Sequence, residues 1–544
     1  MRTSRPNLIK TIWYLVLVIA VSGAILFFAI EVISYLIPFA QAQAFVDSIA
    51  ADGHVESFTF NGYQLTKRFA WVAGLLMLEI LLFWIVARKK ILNRLNEILA
   101  QKKEIVKESP EQVRTLSKVR LKATPLIASS LFILFYPLYM AAGLLLRNSV
   151  LFSQDDIFIF DMDAPIAIRL ITGTLNSGER HPLFKLFFYP LGLFLANAAQ
   201  SPIFAAVAVN ALFGALCVVF MFLLLSKAGL NPEAGFLWSA ILGVSTTHLV
   251  FSAFPETYIF SAFSMILLFY LSVAFPANLM LFIPAAVLSV GITTSNIIPA
   301  TIAFVFSLKA KVPAPSNRLS LIIAFILAVI IILGLLNVLS ILIFKSGVPS
   351  FLPWLYLDQQ LSWTTLQHPT LLSQRLSYLV ESFLLYNFIS PKLYLPLLKL
   401  NFDLANLNLL PANYLKLVSS SESAANFTIS SLVTYAGASL ISAQIWLGLI
   451  FFAIFNFIRY PENRSPLVIS LLLTLTFNFL LHIFFGLDIF LYSAHWTFIV
   501  LAFVALSLRR YARDLVFQLL LGLILFLFTI NNLRLISDLK LIFG

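Results

Sequence analysis

Sulfur is nearly missing from this chain. One cysteine, Cys217, occurs in 544 residues, which excludes a disulfide within the chain and any cysteine-based metal site. Charge is scarce as well: 11% of residues are charged, and acids are the scarcer sign, 24 Asp and Glu against 36 Lys and Arg. No glycine-rich phosphate loop follows a strand, and no soluble α/β stretch is long enough to hold a nucleotide. The net charge of +12 does not point to nucleic acid, because the basic residues fall mainly in short segments between apolar runs. The two halves share no repeat of the kind secondary transporters show; they differ in loop lengths and in where their polar residues fall.

What remains is mostly hydrocarbon. Hydrophobic residues make up 60% of the chain, where soluble domains average roughly 45–50% apolar residues. The expected fold is an all-α polytopic membrane protein with about thirteen spans. Arg2, Arg5 and Lys10 precede an apolar run too long for the core of a cleaved signal peptide, so the start resembles a signal anchor.

Spans are expected at residues 11–38 and 69–86. Between residues 88 and 122 lie eleven Lys and Arg, which places this segment in the cytoplasm. Pro110 would divide it into two amphipathic helices. A third span, 125–146, leads outward. Residues 183–195, interrupted by Lys185 and Pro190, read as an interfacial amphipathic helix. Spans follow at 203–225 and 236–251, then a short turn, Phe254-Pro255-Glu256-Thr257, and a descent to Phe275. The apolar run 279–308 is broken at Gly291-Ile292-Thr293-Thr294-Ser295-Asn296, which predicts two short helices. After a span at 319–344 comes a long non-spanning region, 345–430, too aromatic and apolar for disorder. The remaining spans run from about residue 432 to Asn531. Four regions result: a two-span extension with a basic hairpin (1–124), a transmembrane core with its first outer loop at 147–201 (125–345), a large extracytoplasmic loop (346–430) and C-terminal spans (431–544).

The stretch from 150 to 190 is the chemical centre of this plan. It carries Asp155, Asp156, Asp161 and Asp163, then Glu179, Arg180 and His181. Orientation set by Lys and Arg alone puts Asp155, Asp156, Asp161, Arg180, His181, Glu256, Asn296, Asp488 and His495 on or near one outer face. Solvated loop residues would scatter over both faces; loops converging on one cavity are site-like. Each element also has a plain structural reading. Asp155-Asp156 at the end of a span suits a helix cap or a general base. Arg180-His181-Pro182 suits an interface anchor or a binding role. Glu256 after Pro255 satisfies a helix dipole, and in so apolar a turn it also suits a substrate hydroxyl or a cation. In Leu491-Tyr492-Ser493-Ala494-His495-Trp496 the Tyr and Trp are ordinary belt residues, and His495 is not.

An acidic residue in the first long outer loop, then Arg-His-Pro-Leu-Phe, then Phe-Pro-Glu-Thr-Tyr at the head of a later span, then Phe-Leu-Tyr-Ser-Ala-His near the end together resemble membrane glycosyltransferases of the GT-C superfamily. Protein O-mannosyltransferases and aminoarabinose transferases belong to it. The resemblance runs from about Pro125 to the C-terminus and implies a GT-C-like helix bundle in the cytoplasmic membrane, with an extracytoplasmic site. It maps the family's acidic pair onto Asp155, with Asp156 beside it, and the family's His-Pro segment onto His181-Pro182. The second pair, Asp161 and Asp163, leaves the identity of the base open.

The chemistry implied is transfer of a sugar from a polyprenyl-phosphate donor to a lipid, glycan or protein acceptor. Asp155 would activate the acceptor. Arg180, with Lys185 or Arg375, would face the leaving phosphate. Asp161, His181, Glu256, Asn296 and His495 would line the substrate site. A divalent cation held by Asp155, Asp161 and Glu256 is compatible with this, although nothing in the spacing demands a cofactor. A transporter or flippase would place charge at the bilayer midplane, where Glu31 and Glu79 are the clearest examples. An O-antigen polymerase or ligase would lean on Arg and His in its large outer loop, whereas here the acids precede that loop. Topology is directly testable. Ser346→Cys should react with a membrane-impermeant maleimide in intact cells and Gln101→Cys should not; the reverse pattern would remove the shared-face reading.

Overall fold

A computed structural model describes residues 110–153, 163–173, 175, 181–309, 315–344, 376, 379–393, 433–435, 437–486 and 489–543. The chain divides into two compact units, Met1–Leu126 with Ala443–Phe452, and Ile127–Ser442 with Ala453–Gly544. Every site residue discussed below belongs to the second. The expected spans at 11–38 and 69–86, and the basic segment up to residue 109, lie outside the described residues.

In chain order the helices are α1 (Pro110–Leu146), α2 (Ala164–Thr172), α3 (Phe184–Ala199), α4 (Pro202–Lys227), α5 (Pro232–Val244), α6 (Thr246–Ala253), α7 (Tyr258–Ala274), α8 (Leu279–Ile292), α9 (Ile297–Lys309), α10 (Pro315–Phe344), α11 (Ala438–Arg459), α12 (Pro466–Phe484), α13 (Ala494–Ser507) and α14 (Leu515–Phe543). Two two-residue strands, β1 (Lys392–Leu393) and β2 (Val433–Thr434), pair antiparallel. Among the described residues seven helices are long and apolar enough to cross a membrane, or eight if the bent pair α5 and α6 counts as one span. The chain is a multi-pass, all-helical membrane protein.

Helix starts follow local chemistry. Ser201 and Ser465 each precede a proline at the first turn, and each Oγ accepts a backbone N–H, from Phe204 at 3.2 Å and Val468 at 3.4 Å; proline lacks only an N–H that would be unpaired there. α1 differs from expectation. One helix runs from Pro110 through Pro125 to Leu146, so the second amphipathic piece and the third span are continuous. α14 likewise passes Asn531 and runs on to Phe543.

Burial sorts the apolar helices. All 14 residues of α13 are buried, as a helix that is apolar on every side must be if it lies in the core. α10 is the opposite case. Only 17% of its apolar window is buried, and Leu319, Ile331, Leu335 and Leu342 stand 60–71% exposed, a surface that suits hydrocarbon. α4 packs against α3, α5, α6 and α7, and α7 also against α8, α9 and α13. Phe184, Phe188, Phe213 and Phe260 knit α3, α4 and α7 with ring centroids 4.3–5.1 Å apart. Such pairs add about 0.5–1.5 kcal/mol each beyond the area they bury.

Interruptions in these helices position the site. The expected break after α8 is present: a 3-10 turn at Thr294–Asn296 separates α8 from α9. The expected turn at 254–257 separates α6 from α7. A further break was not expected: α5 and α6 meet at Ser245 with a 60° bend. There Thr246 and Thr247 N–H donate to the carbonyls of Phe388 (3.3 Å) and Asn387 (3.1 Å). Asn532 of α14 completes the joint. Its Nδ2 donates to the Val244 and Phe388 carbonyls, both at 2.7 Å, and its Oδ1 accepts from Ser390 N–H at 2.8 Å. Asn532→Leu should therefore cost on the order of 3 kcal/mol, since it strips the partners from several buried groups. A lowered thermal midpoint of the detergent-solubilised protein would register this, whereas Ser537→Ala on the exposed side of α14 should leave the midpoint in place.

Candidate functional site

The turn between α6 and α7 is the hub. Residues 254–257 are all buried, and Glu256 is 3% exposed. A carboxylate so deep needs donors. Its Oε1 accepts from the Asp163 N–H at 2.6 Å and its Oε2 from the Thr257 N–H at 3.0 Å. Asp163 is the N-cap residue of α2 and Thr257 that of α7. One carboxylate thus sits at two helix N-termini, where partial positive charge favours an anion. The dipole reading of Glu256 holds for α7, and α2 adds a second helix that sequence inspection did not supply.

His181 meets the same turn from the other side. Its Nδ1 lies 2.8 Å from the Ile292 carbonyl oxygen. A carbonyl can only accept, so Nδ1 carries the proton, and in the neutral ring Nε2 is the acceptor. Nε2 faces the Thr257 hydroxyl at 3.1 Å, which donates to it. Leu183 N–H donates to the Gly291 carbonyl at 2.9 Å, so the segment 181–183 is pinned twice to the broken end of α8. The approach is tight enough to require glycine: a Cβ on Gly291 would lie 2.8 Å from Phe187 and 3.0 Å from Leu183.

An aromatic wall continues from His181. Tyr258 stands edge-on to it at 6.1 Å and contacts His495 at 5.8 Å and Tyr492 at 5.4 Å. His482 stacks on Tyr492 at 4.5 Å and lies 6.4 Å from His495. His495 is 2% exposed, and its Nε2 has no hydrogen-bond partner among the described residues. Three of the six histidines, His181, His482 and His495, therefore gather around two tyrosines.

The expected site residues fall into four groups. Glu256, His181 and His495 come together through Thr257 and Tyr258. Asn296 serves the break itself: its Nδ2 donates to Ser261 Oγ at 2.8 Å and to the Ser289 carbonyl at 3.2 Å. Asp155, Asp156, Asp161, Arg180, Arg375 and Asp488 lie outside the described residues. Lys185, an alternative phosphate partner, is buried. Its Nζ donates to the Gly173 carbonyl at 3.2 Å and lies 4.6 Å from the centre of the Phe344 ring. Burial lowers its pKa, and the contact caps the C-terminal end of α2, where a cation is favoured. No group of three or more His, Cys, Asp or Glu among the described residues could hold a metal ion.

Sequence reading did not single out Thr257, Tyr258 or His482. Thr257 and Tyr258 were within reach as part of Phe-Pro-Glu-Thr-Tyr; His482 carries no motif. No known family model matches this chain, and no curated protein matches it.

Glu256→Gln tests the double cap. Whichever way the amide turns, its NH₂ faces one of two N–H donors. The expected loss is about 1–3 kcal/mol of stability, measured as a lower thermal midpoint in detergent. Thr257→Val, which removes only the hydroxyl bonded to His181, should cost less.

Proposed function

We propose that this chain is a GT-C-type membrane glycosyltransferase that transfers a sugar from a polyprenyl-phosphate donor to a hydroxyl or amide acceptor at the extracytoplasmic face. One observation carries the reading. Three motifs far apart in sequence meet at one turn: the backbone that leaves the acidic stretch at Asp163, the His-Pro segment at His181, and the Phe-Pro-Glu-Thr-Tyr head of α7. Asp163 and Glu256 are 93 positions apart and His181 and Thr257 are 76 apart, yet each pair is hydrogen-bonded. Asp163, which follows the acidic residues in sequence, is thus bonded to Glu256, and the next residue, Thr257, is bonded to His181.

The division of labour follows from chemical type. Asp155 takes the acceptor proton, with Asp156 beside it, as the acceptor oxygen or nitrogen attacks the anomeric carbon. The bond to the phosphate oxygen breaks, and Arg180, next to His181, stabilises the leaving phosphate. Glu256 acts first as the joint that holds α2 and α7 together, so its place in substrate binding is secondary to that joint. Tyr492 and the imidazole of His181, both half-buried, offer flat faces of the kind sugar rings pack against, with Tyr258 and His495 buried behind them. The isoprenoid tail would bury apolar area worth roughly 25 cal/mol per Å², which leaves charged groups for the phosphate.

Reconstitution in liposomes with labelled donors tests this. Wild-type protein should use a polyprenyl-phosphate sugar and not a nucleotide sugar. Asp155→Asn should abolish turnover without loss of folded protein, and Asp156→Asn should do less. Transfer from a UDP- or GDP-sugar without a lipid intermediate, or full activity in purified Asp155→Asn protein, would overturn the reading.

A further inference from the structure

Proline at position 255 leaves a gap that another helix fills. Were α6 to continue, the Phe251 carbonyl would accept from the N–H of residue 255, and a proline there has none. Asn210 of α4 supplies donors instead. It is fully buried, and its Nδ2 lies 3.2 Å from the Phe251 carbonyl oxygen, 2.9 Å from that of Phe254 and 3.0 Å from that of Glu256. Three acceptors around one end of the side chain identify that end as the NH₂. Its two protons are shared among the three carbonyls, while Oδ1 makes no hydrogen bond among the described residues. Asn210 is the one side-chain amide in an otherwise apolar span, and all its bonding reaches outside its own helix.

The carbonyls it holds belong to the turn that presents Glu256. That carboxylate in turn receives the N–H groups of Asp163 and Thr257, and Thr257 bonds His181. We infer that Asn210 is a positioning residue: it replaces the missing Pro255 N–H, fixes the path of residues 251–256, and through Glu256 sets where the backbone of Asp163 is held. No substrate contact is assigned to it. Its consequence for turnover rests on the proposed glycosyl transfer; its consequence for the turn does not.

The test uses the full chain in nanodiscs and two readouts: hydrogen exchange at the Asp163 amide, and transfer from a polyprenyl-phosphate sugar. Asn210→Leu removes the donors. Asn210→Asp keeps the shape, removes the same donors and aims an acceptor at three carbonyls. Asn210→Leu combined with Pro255→Ala restores an N–H at position 255 and frees Phe254, extended ahead of the proline, to turn helical and bring that N–H to the Phe251 carbonyl. Exchange at Asp163 should accelerate about tenfold or more in Asn210→Leu, as expected when a buried hydrogen bond is lost. Asn210→Asp should be at least as fast, and the double variant should move back toward wild type. Turnover should follow the same order, with kcat falling about tenfold and KM changing less than about twofold.

A residue that only fills space predicts the opposite ranking, with the isosteric Asn210→Asp the mildest and Pro255→Ala giving no rescue; that result overturns the inference. Should Asn210→Leu yield no folded protein, recovery in the double variant supports it and failure to recover overturns it. If wild type transfers no sugar while the exchange pattern is as expected, the proposed function fails and the positioning role stands.

Discussion

A peptide group freed from its helix inside the packed bundle meets no water, and the interruptions described here are built around that constraint. Three of them are closed by asparagine. Asn532 holds the bend at Ser245, Asn210 the turn after α6, and Asn296 the break between α8 and α9. An amide can donate and accept from one short, stiff stem, so it can replace a missing rung of backbone bonding from a neighbouring helix. Leaving such a group unpaired costs about 1–3 kcal/mol each, a large fraction of the margin by which a fold survives.

Closing the breaks in this way has a consequence for chemistry. A broken helix exposes N–H groups at one end and carbonyls at the other, and both are useful at a site. Here the N-terminal ends of α2 and α7 converge on Glu256, which makes a buried carboxylate tolerable. The carbonyl end of α8 fixes the tautomer of His181 through Ile292. Acid, imidazole and hydroxyl are therefore held by backbone as much as by side-chain packing. Lys185 shows the same economy: it serves the C-terminal end of α2 rather than an open face.

Much of this architecture could be read along the chain, because its signals are local. The break at 291–296 follows from glycine, β-branched and polar residues in sequence, and the short turn at 254–257 follows from proline before glutamate ahead of an apolar run. The helix expected at 183–195 is present with Pro190 inside it and runs on to Ala199. The bend at Ser245 was hidden. Residues 236–251 read as one apolar span, and what bends them is a partner segment at 387–390 and an amide nearly 300 positions away. His482 was hidden for a similar reason: its neighbours Tyr492 and His495 lie across a turn, and aromatic packing leaves no spacing rule.

Composition, hydropathy and the order of short motifs determined that this is a multi-pass helical membrane protein, where most of its described helices run, and which motifs deserve to be considered together. Each of those depends on residues close in sequence, through helix periodicity, proline and glycine backbone limits, and the cost of charge in hydrocarbon. Only the tertiary structure decided that Glu256 bridges two helix N-termini, that His181 rests on the broken end of α8, and that Asn210 stands in for a proline's missing donor. Those pairings form between helices, where the apolar sequence is nearly degenerate. A single amide or carboxylate finds its partners there by the geometry of packing.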